Sequence, residues 1–432
     1  MHRMACILYV SILLCQTVWA AQYYVSGGGK DTDPGTLTQP WLTLQHAADN
    51  VSAGDTVIVR GGTYVGFKSR ASGTQGAPIT FVAYSGEQVV LNSPSPVDWH
   101  GSIVEVEGHD WWVVDGFEVT GSTVRAGIDV RVADHVTIKN CYAHHNYKWG
   151  IFTAFTDHLT LEKNVCTYSA DEHGIYVSNS SDDCIIQYNT CHDNNASGIQ
   201  INADPLAGGD GISSNCVVSH NRIYNNGSAG GAAINLASVR NSLIANNLIY
   251  NNLATGIAGW DDGQGTQWGT RDNRFYNNTV HQPPGGRWAL GLKNGSTGNR
   301  VMNNILLHDN SGRGGLELDS SSLAGIDSNY NIMNRIDLDE SGMSLSEWQD
   351  GYAQDPASFT GELALIFTPA AGDYHLFDGS IAVDRGATLA DIPDDLENNI
   401  RPQGTVYDIG AYEYELGRSM FNSAPVNVLL LD

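Results

Sequence analysis

The chain has 432 residues, with 22 Lys and Arg against 47 Asp and Glu, a formal charge of −25 and only 16% charged residues. That balance excludes recognition of DNA or RNA through phosphate contacts, and it disfavours a polyanionic substrate unless bound cations or a local basic patch offset the field. The 48 glycines and the frequent Asn suit stacked strands and turns better than helices.

In chain order, His2 and Arg3 lead into an apolar run from Ile7 to Leu14 and then Val18-Trp19-Ala20. A charged start, an apolar stretch too short to span a bilayer and a small-residue cleavage site predict a signal peptide over residues 1–20. The mature chain is then expected to be secreted, soluble, monomeric and without a membrane span. Leu42, Leu44, Ala47, Ala48 and Val51 form an amphipathic stripe, which predicts a helix capping the first coil within an N-terminal cap over residues 21–75.

The centre repeats itself. Short β-rich runs end in Asn140, Asn164, Asn189, Asn221, Asn247, Asn278, Asn304 and Asn331, with Gly116 in the same phase earlier. From Gly116 onward the intervals are 24, 24, 25, 32, 26, 31, 26 and 27 residues. After each marker a second strand opens, at Gly127, Gly150, Gly174, Gly198, Ala233, Gly256 and Gly291. A propeller blade needs about 40 residues, and a leucine-rich repeat needs Leu at fixed positions. Coils this short predict an all-β, right-handed parallel β-helix solenoid of about ten coils, with equivalent residues about 4.8 Å apart. The Asn residues should stack in one column and bond through their amides.

Cys166 and Cys191 stand two residues after their markers, and Cys184 and Cys216 five before theirs, so each pair should stack as interior thiols. Two intervals are about six residues longer than the rest, which predicts long loops at 203–215 and 259–272 leaving the same edge. Residues 372–415 are non-repetitive and are expected to close the solenoid, followed by a tail over 416–432.

The opening segment YYVSGGGKDTDPGT…PWLTLQHAADNVSAGDTVIVRGGTY and the closing DYHL…DIGAYEY resemble the secreted bacterial β-helix proteins of the pectin-lyase-like superfamily. The resemblance implies a single β-helix body over residues 21–415 and a role with extracellular polysaccharide. It does not select an activity, since that superfamily contains lyases, hydrolases, epimerases and non-catalytic members.

Chemistry is expected on the outward face of the strand that follows each Gly, beside the long loops. Lys148, Glu172, His173 and Tyr176 are the catalytic candidates there. Arg131, Gln200, Asn202, Asn235, Trp260 and Lys293 are the substrate-binding candidates, offering charge, amides and an indole. Asp171, Asp204 and Asp261 could supply oxygen ligands to Ca²⁺. The reading preferred is a polysaccharide lyase that cleaves a uronic-acid glycan by β-elimination, with a cation to neutralise the uronate and a base to remove its C5 proton. A glycoside hydrolase would use paired carboxylates, drawn from Glu172, Asp204 and Asp261. A C5-epimerase and a non-catalytic carbohydrate-binding protein are the remaining readings. No organic cofactor is implied.

Overall fold

Alternation of apolar and polar residues over three to six positions, bounded by turn residues, forces short strands with one face inward. In the computed structural model, which describes residues 20–97, 100–367 and 372–415, these strands stack into three parallel sheets of twelve, eleven and twelve strands. One coil shows the plan: Trp112–Asp115 lies in the first sheet, Glu118–Thr120 in the second and Ala126–Arg131 in the third. The last strand of the third sheet, Ser341–Met343, turns back antiparallel on Ile336–Leu338. The fold is the expected right-handed β-helix, with about two more coils than the ten expected, because residues 22–107 and 336–343 add strands to the same sheets. The signal-peptide and tail assignments lie outside the described residues, apart from Ala20. No described helix is long and apolar enough to cross a membrane.

Helix Leu44–Asn50 buries Leu44, Ala47 and Ala48 over the first coil, with Thr43 as its N-cap. At the far end, Leu345 and Trp348 of helix Leu345–Tyr352 join the main core, and Ser344 and Glu347 make a capping box. The predicted closing segment does something else. It runs back along the outside of the rod, where Asn246, Asn277 and Asn303 donate to its backbone carbonyls at Asp394, Asp408 and Ala387. Its Ile392 and Tyr407 pack on Ala245 and Tyr276, and its Leu396 and Tyr412 near Leu248.

The Asn column forms as expected from Asn164 through Asn331, each side-chain oxygen accepting from the backbone N–H of the Asn one coil earlier. Two markers belong one residue away. Asn140 and Gly116 take the left-handed turn position, and Cys141 fills the first place in the column. That turn position holds Lys163, Tyr188, His220 and Tyr330 in later coils as well as Asn246, Asn277 and Asn303, so left-handed geometry is not what recruits Asn to the column beside it. The buried amide bonds are. Cys166 pairs in register with Cys191, and all five described cysteines are buried, free thiols.

Candidate functional site

The third sheet presents two outward rows. The first reads Lys68, Glu105, Asp129, Phe152, Tyr176, Gln200, Asn235, Ala258, Gly291, Glu317 and Asp337. The second carries Glu107, Arg131, Ala154, Ser178, Asn202, Ala237 and Trp260. Lys293 joins this second row beside Trp260, because Gly291 pairs with Ala258 rather than with Gly256. The strand-opening assignment at Gly291 is therefore two residues late, and Ala289 takes that place.

At the N-terminal end the face is consumed by its own charges. Arg131 lies 2.8 Å from Glu105 and 3.0 Å from Asp129, and Lys68 lies 3.0 Å from Glu105 and 2.5 Å from Glu107. Arg131 is thus tied into an internal network rather than offered to a substrate. Among the described residues, His100, Glu105 and Glu107 are the one group of three close enough to share a metal ion, but Lys68 and Arg131 already serve those carboxylates.

The middle of the face brings Lys148, Glu172, His173 and Tyr176 together. Lys148 Nζ is 3.0 Å from Glu172, whose other oxygen accepts from Trp149 Nε1 at 2.8 Å. His173 Nδ1 accepts the Ser197 backbone N–H at 3.0 Å, and the Tyr176 ring stands edge-on at 5.2 Å. The lone pair a general base would use is therefore already spent. Burial pulls the His173 pKa down to about 4, against the Glu172 charge that raises it. An unfolded His titrates near 6.5, so the native state binds fewer protons between those two values. Stability from this residue should be complete above pH 6.5 and fall as pH drops toward 4. Thermal melts of His173→Gln across that range should show a flatter acid limb than the parent.

Asp171, Asp204 and Asp261 do not assemble as a Ca²⁺ donor set. Asp261 accepts from the N–H groups of Gly263 and Gly265 and from the Asn294 amide, which folds its own loop. Asp204 accepts from the N–H of Leu206. These three residues do not come within reach of one shared ion.

The long loops leave one edge, as their register requires, but they meet. Asn202 Nδ2 reaches across the small Ala237 to Asp262 at 2.9 Å, and a Cβ on Gly211 would stand 3.0 Å from Trp268. The space between them is bridged, and the open site lies one coil further on. There two small residues in succession, Ala258 and Gly291, leave a hollow of about 380 Å³. Asn235, Trp260, Arg287, Lys293, Asn294 and Glu317 surround it. Trp260 Nε1 donates to Asn235 at 3.0 Å, and Gln200 accepts from Asn235 at 2.7 Å, so the indole and both amides are fixed. Lys293 Nζ lies 2.7 Å from Glu317. Arg287 is exposed and has no carboxylate within salt-bridge reach among the described residues. Arg287 and Glu317 were not among the sequence candidates. The alternation Leu316-Glu317-Leu318, matching Leu290-Gly291-Leu292, was the signal for the second.

Residues 23–168 match the Pel9A-like right-handed β-helix region. Pectate lyase PEL9 of Emericella nidulans is 29% identical over 157 residues, a span of 33% of this chain and 38% of that lyase. The uncharacterized protein YwoF of Bacillus subtilis is 45% identical over 73 residues, 17% of this chain and 16% of its own length. The crystal structure of pectate lyase Pel9A superposes with a TM-score of 0.64 at 18% identity, covering 91% of this chain and 96% of that one. The chain is a right-handed parallel β-helix whose residues 23–168 match the Pel9A-like right-handed β-helix region.

Proposed function

We propose that this chain is a secreted polysaccharide lyase that cleaves a uronic-acid glycan by β-elimination in the Ala258–Gly291 hollow. The observation that carries the reading is the pairing of Arg287 and Lys293 across a cavity floored by two residues too small to fill it. In a protein this acidic, Arg287 and Lys293 against the single carboxylate of Glu317 leave the hollow with a local excess of positive charge, which a uronate requires. The similarity to pectate lyase PEL9 over part of the chain supports the same class.

In this mechanism Arg287 holds the uronate carboxylate, and the ring stacks on the Trp260 indole, which its Nε1 bond to Asn235 holds in place. Lys293 is the base that takes the proton from C5, its Nζ held in place by Glu317. The C5–H electron pair forms the C4=C5 double bond as the C4–O4 bond breaks. O4 leaves with the proton that Lys293 took from C5. Lys148, Glu172 and Tyr176 lie about four coils away, roughly 19 Å by strand spacing, and would contact the chain beyond the cut rather than the reacting carbons.

Filling the hollow tests the reading. A Cβ on Gly291 would already approach Glu317 at 3.3 Å, so Gly291→Leu places a branched side chain where the ring must lie. Activity on acidic polysaccharides should fall at least a hundredfold, with the melting temperature held within a few degrees. A Gly291→Leu protein that cuts at the parent rate would move the site elsewhere on the rod. Incubation with acidic and neutral polysaccharides separates the chemistry, since unsaturated-product absorbance marks elimination and reducing ends alone mark hydrolysis.

A further inference from the structure

Beyond the hollow, the turn entering the third sheet carries an arginine in each of three successive coils. Arg287 and Arg313 stand three residues before the paired strand residues Leu290 and Leu316, and Arg335 stands one before Ile336. Two coil steps separate the first from the last, roughly 10 Å. Most other described Lys and Arg side chains have a carboxylate within 4 Å, as Arg60, Lys68, Arg125, Arg131, Lys148, Arg274 and Arg300 do. None of these three arginines has one among the described residues, in a chain with 47 acidic residues to offer.

A second cavity of about 380 Å³ lies over the last two, lined by Ser311, Arg313, Asn334, Arg335, Ser344 and Glu347, among others. Gly342 makes room for the Arg335 guanidinium, since a Cβ there would stand 2.0 Å from Nη2. Arg335 Nε is buried without a hydrogen-bond partner, and Arg313 donates to the Gly286 carbonyl. The one carboxylate in the lining, Glu347, accepts from the Ser344 backbone and hydroxyl at 2.7 and 2.8 Å, and it feels the Arg335 charge without forming an ion pair within 4 Å. Two guanidiniums with free donors, hydroxyls and an amide make a receptor for carboxylates.

We propose that the two cavities form one track, in which Arg313 and Arg335 bind the carboxylates of an acidic glycan on one side of the residue cut in the hollow. The proposal rests on the hollow being the cleavage site, but its binding test does not need cleavage. A chain of uronic acids running along the rod meets one arginine per coil, whereas a neutral glycan gains nothing from the same cavity.

Native electrophoresis of the whole protein through gels containing polygalacturonate, alginate or neutral xylan reads the affinity directly. Retardation by at least one acidic glycan and not by xylan is expected, weakening about tenfold per arginine in Arg313→Gln and Arg335→Gln and with rising salt. Should the double variant unfold, the single Arg313→Gln, changed at a partly exposed side chain, carries the test. Retardation that both variants retain would overturn the track while leaving the hollow intact. Failure of every acidic glycan to retard a protein that nonetheless cleaves one would also overturn it. Arginine-dependent retardation without any cleavage would support the track and sink the lyase reading alone.

Discussion

Lys293→Ala is expected to lower turnover of the acidic substrate by at least a thousandfold, with little change in stability. The side chain is half-exposed and its salt bridge to Glu317 is at the surface, where such pairs contribute about 0–1 kcal/mol. Its removal therefore leaves the coil standing. The catalytic loss is large because the amine both removes the C5 proton and adds positive charge beside the carboxylate as the intermediate forms, two contributions of the acid–base and electrostatic kind. Lys293→Arg separates them. An arginine restores the charge but stays protonated, so substrate affinity should recover while turnover does not. Steady-state kinetics with KM and kcat resolved is the readout.

The second large effect is on stability. Asn247 is fully buried, accepts from the backbone and amide of Asn221 at 3.1 and 3.0 Å, and donates to Val218 and Asn278 at 2.9 Å each. Asn247→Ala strands the Asn221 N–H and the Val218 carbonyl in the interior of the column. Each stranded group costs about 1–3 kcal/mol, so the variant should lose about 3–5 kcal/mol with the small cavity included. Asn92, which is exposed, should cost under about 0.5 kcal/mol on the same change. Denaturant melts of the two variants decide it, and similar midpoints would mean that the column is dispensable.

The fold was legible because the repeat is local: strand, Asn, turn, strand, with a period too short for other solenoids. Asn140 misled by one residue because an Asn in the left-handed turn and an Asn in the buried column look alike in sequence, and only the bond from Cys141 to Asn164 separates them. Gly291 misled by two for a related reason. A glycine opens most of these strands, yet here it faces outward, and that shift creates the hollow and moves Lys293 beside Trp260. Glu172 and His173 drew attention as a titratable pair, but the Ser197 N–H that occupies His173 comes from the next coil and leaves no mark in local sequence. The course of residues 372–415 along the side of the rod is likewise set by contacts more than 80 residues apart, such as Asn303 with Ala387.

The central claim is elimination at a uronate in the Arg287–Lys293 hollow. The most direct measurement is the ultraviolet absorbance of unsaturated product released from polygalacturonate and alginate by the parent protein and by Lys293→Ala under identical conditions. A steady rise with at least one of the two substrates, abolished in the variant, is the predicted result. Reducing ends without absorbance, or a rise that Lys293→Ala preserves, would contradict it.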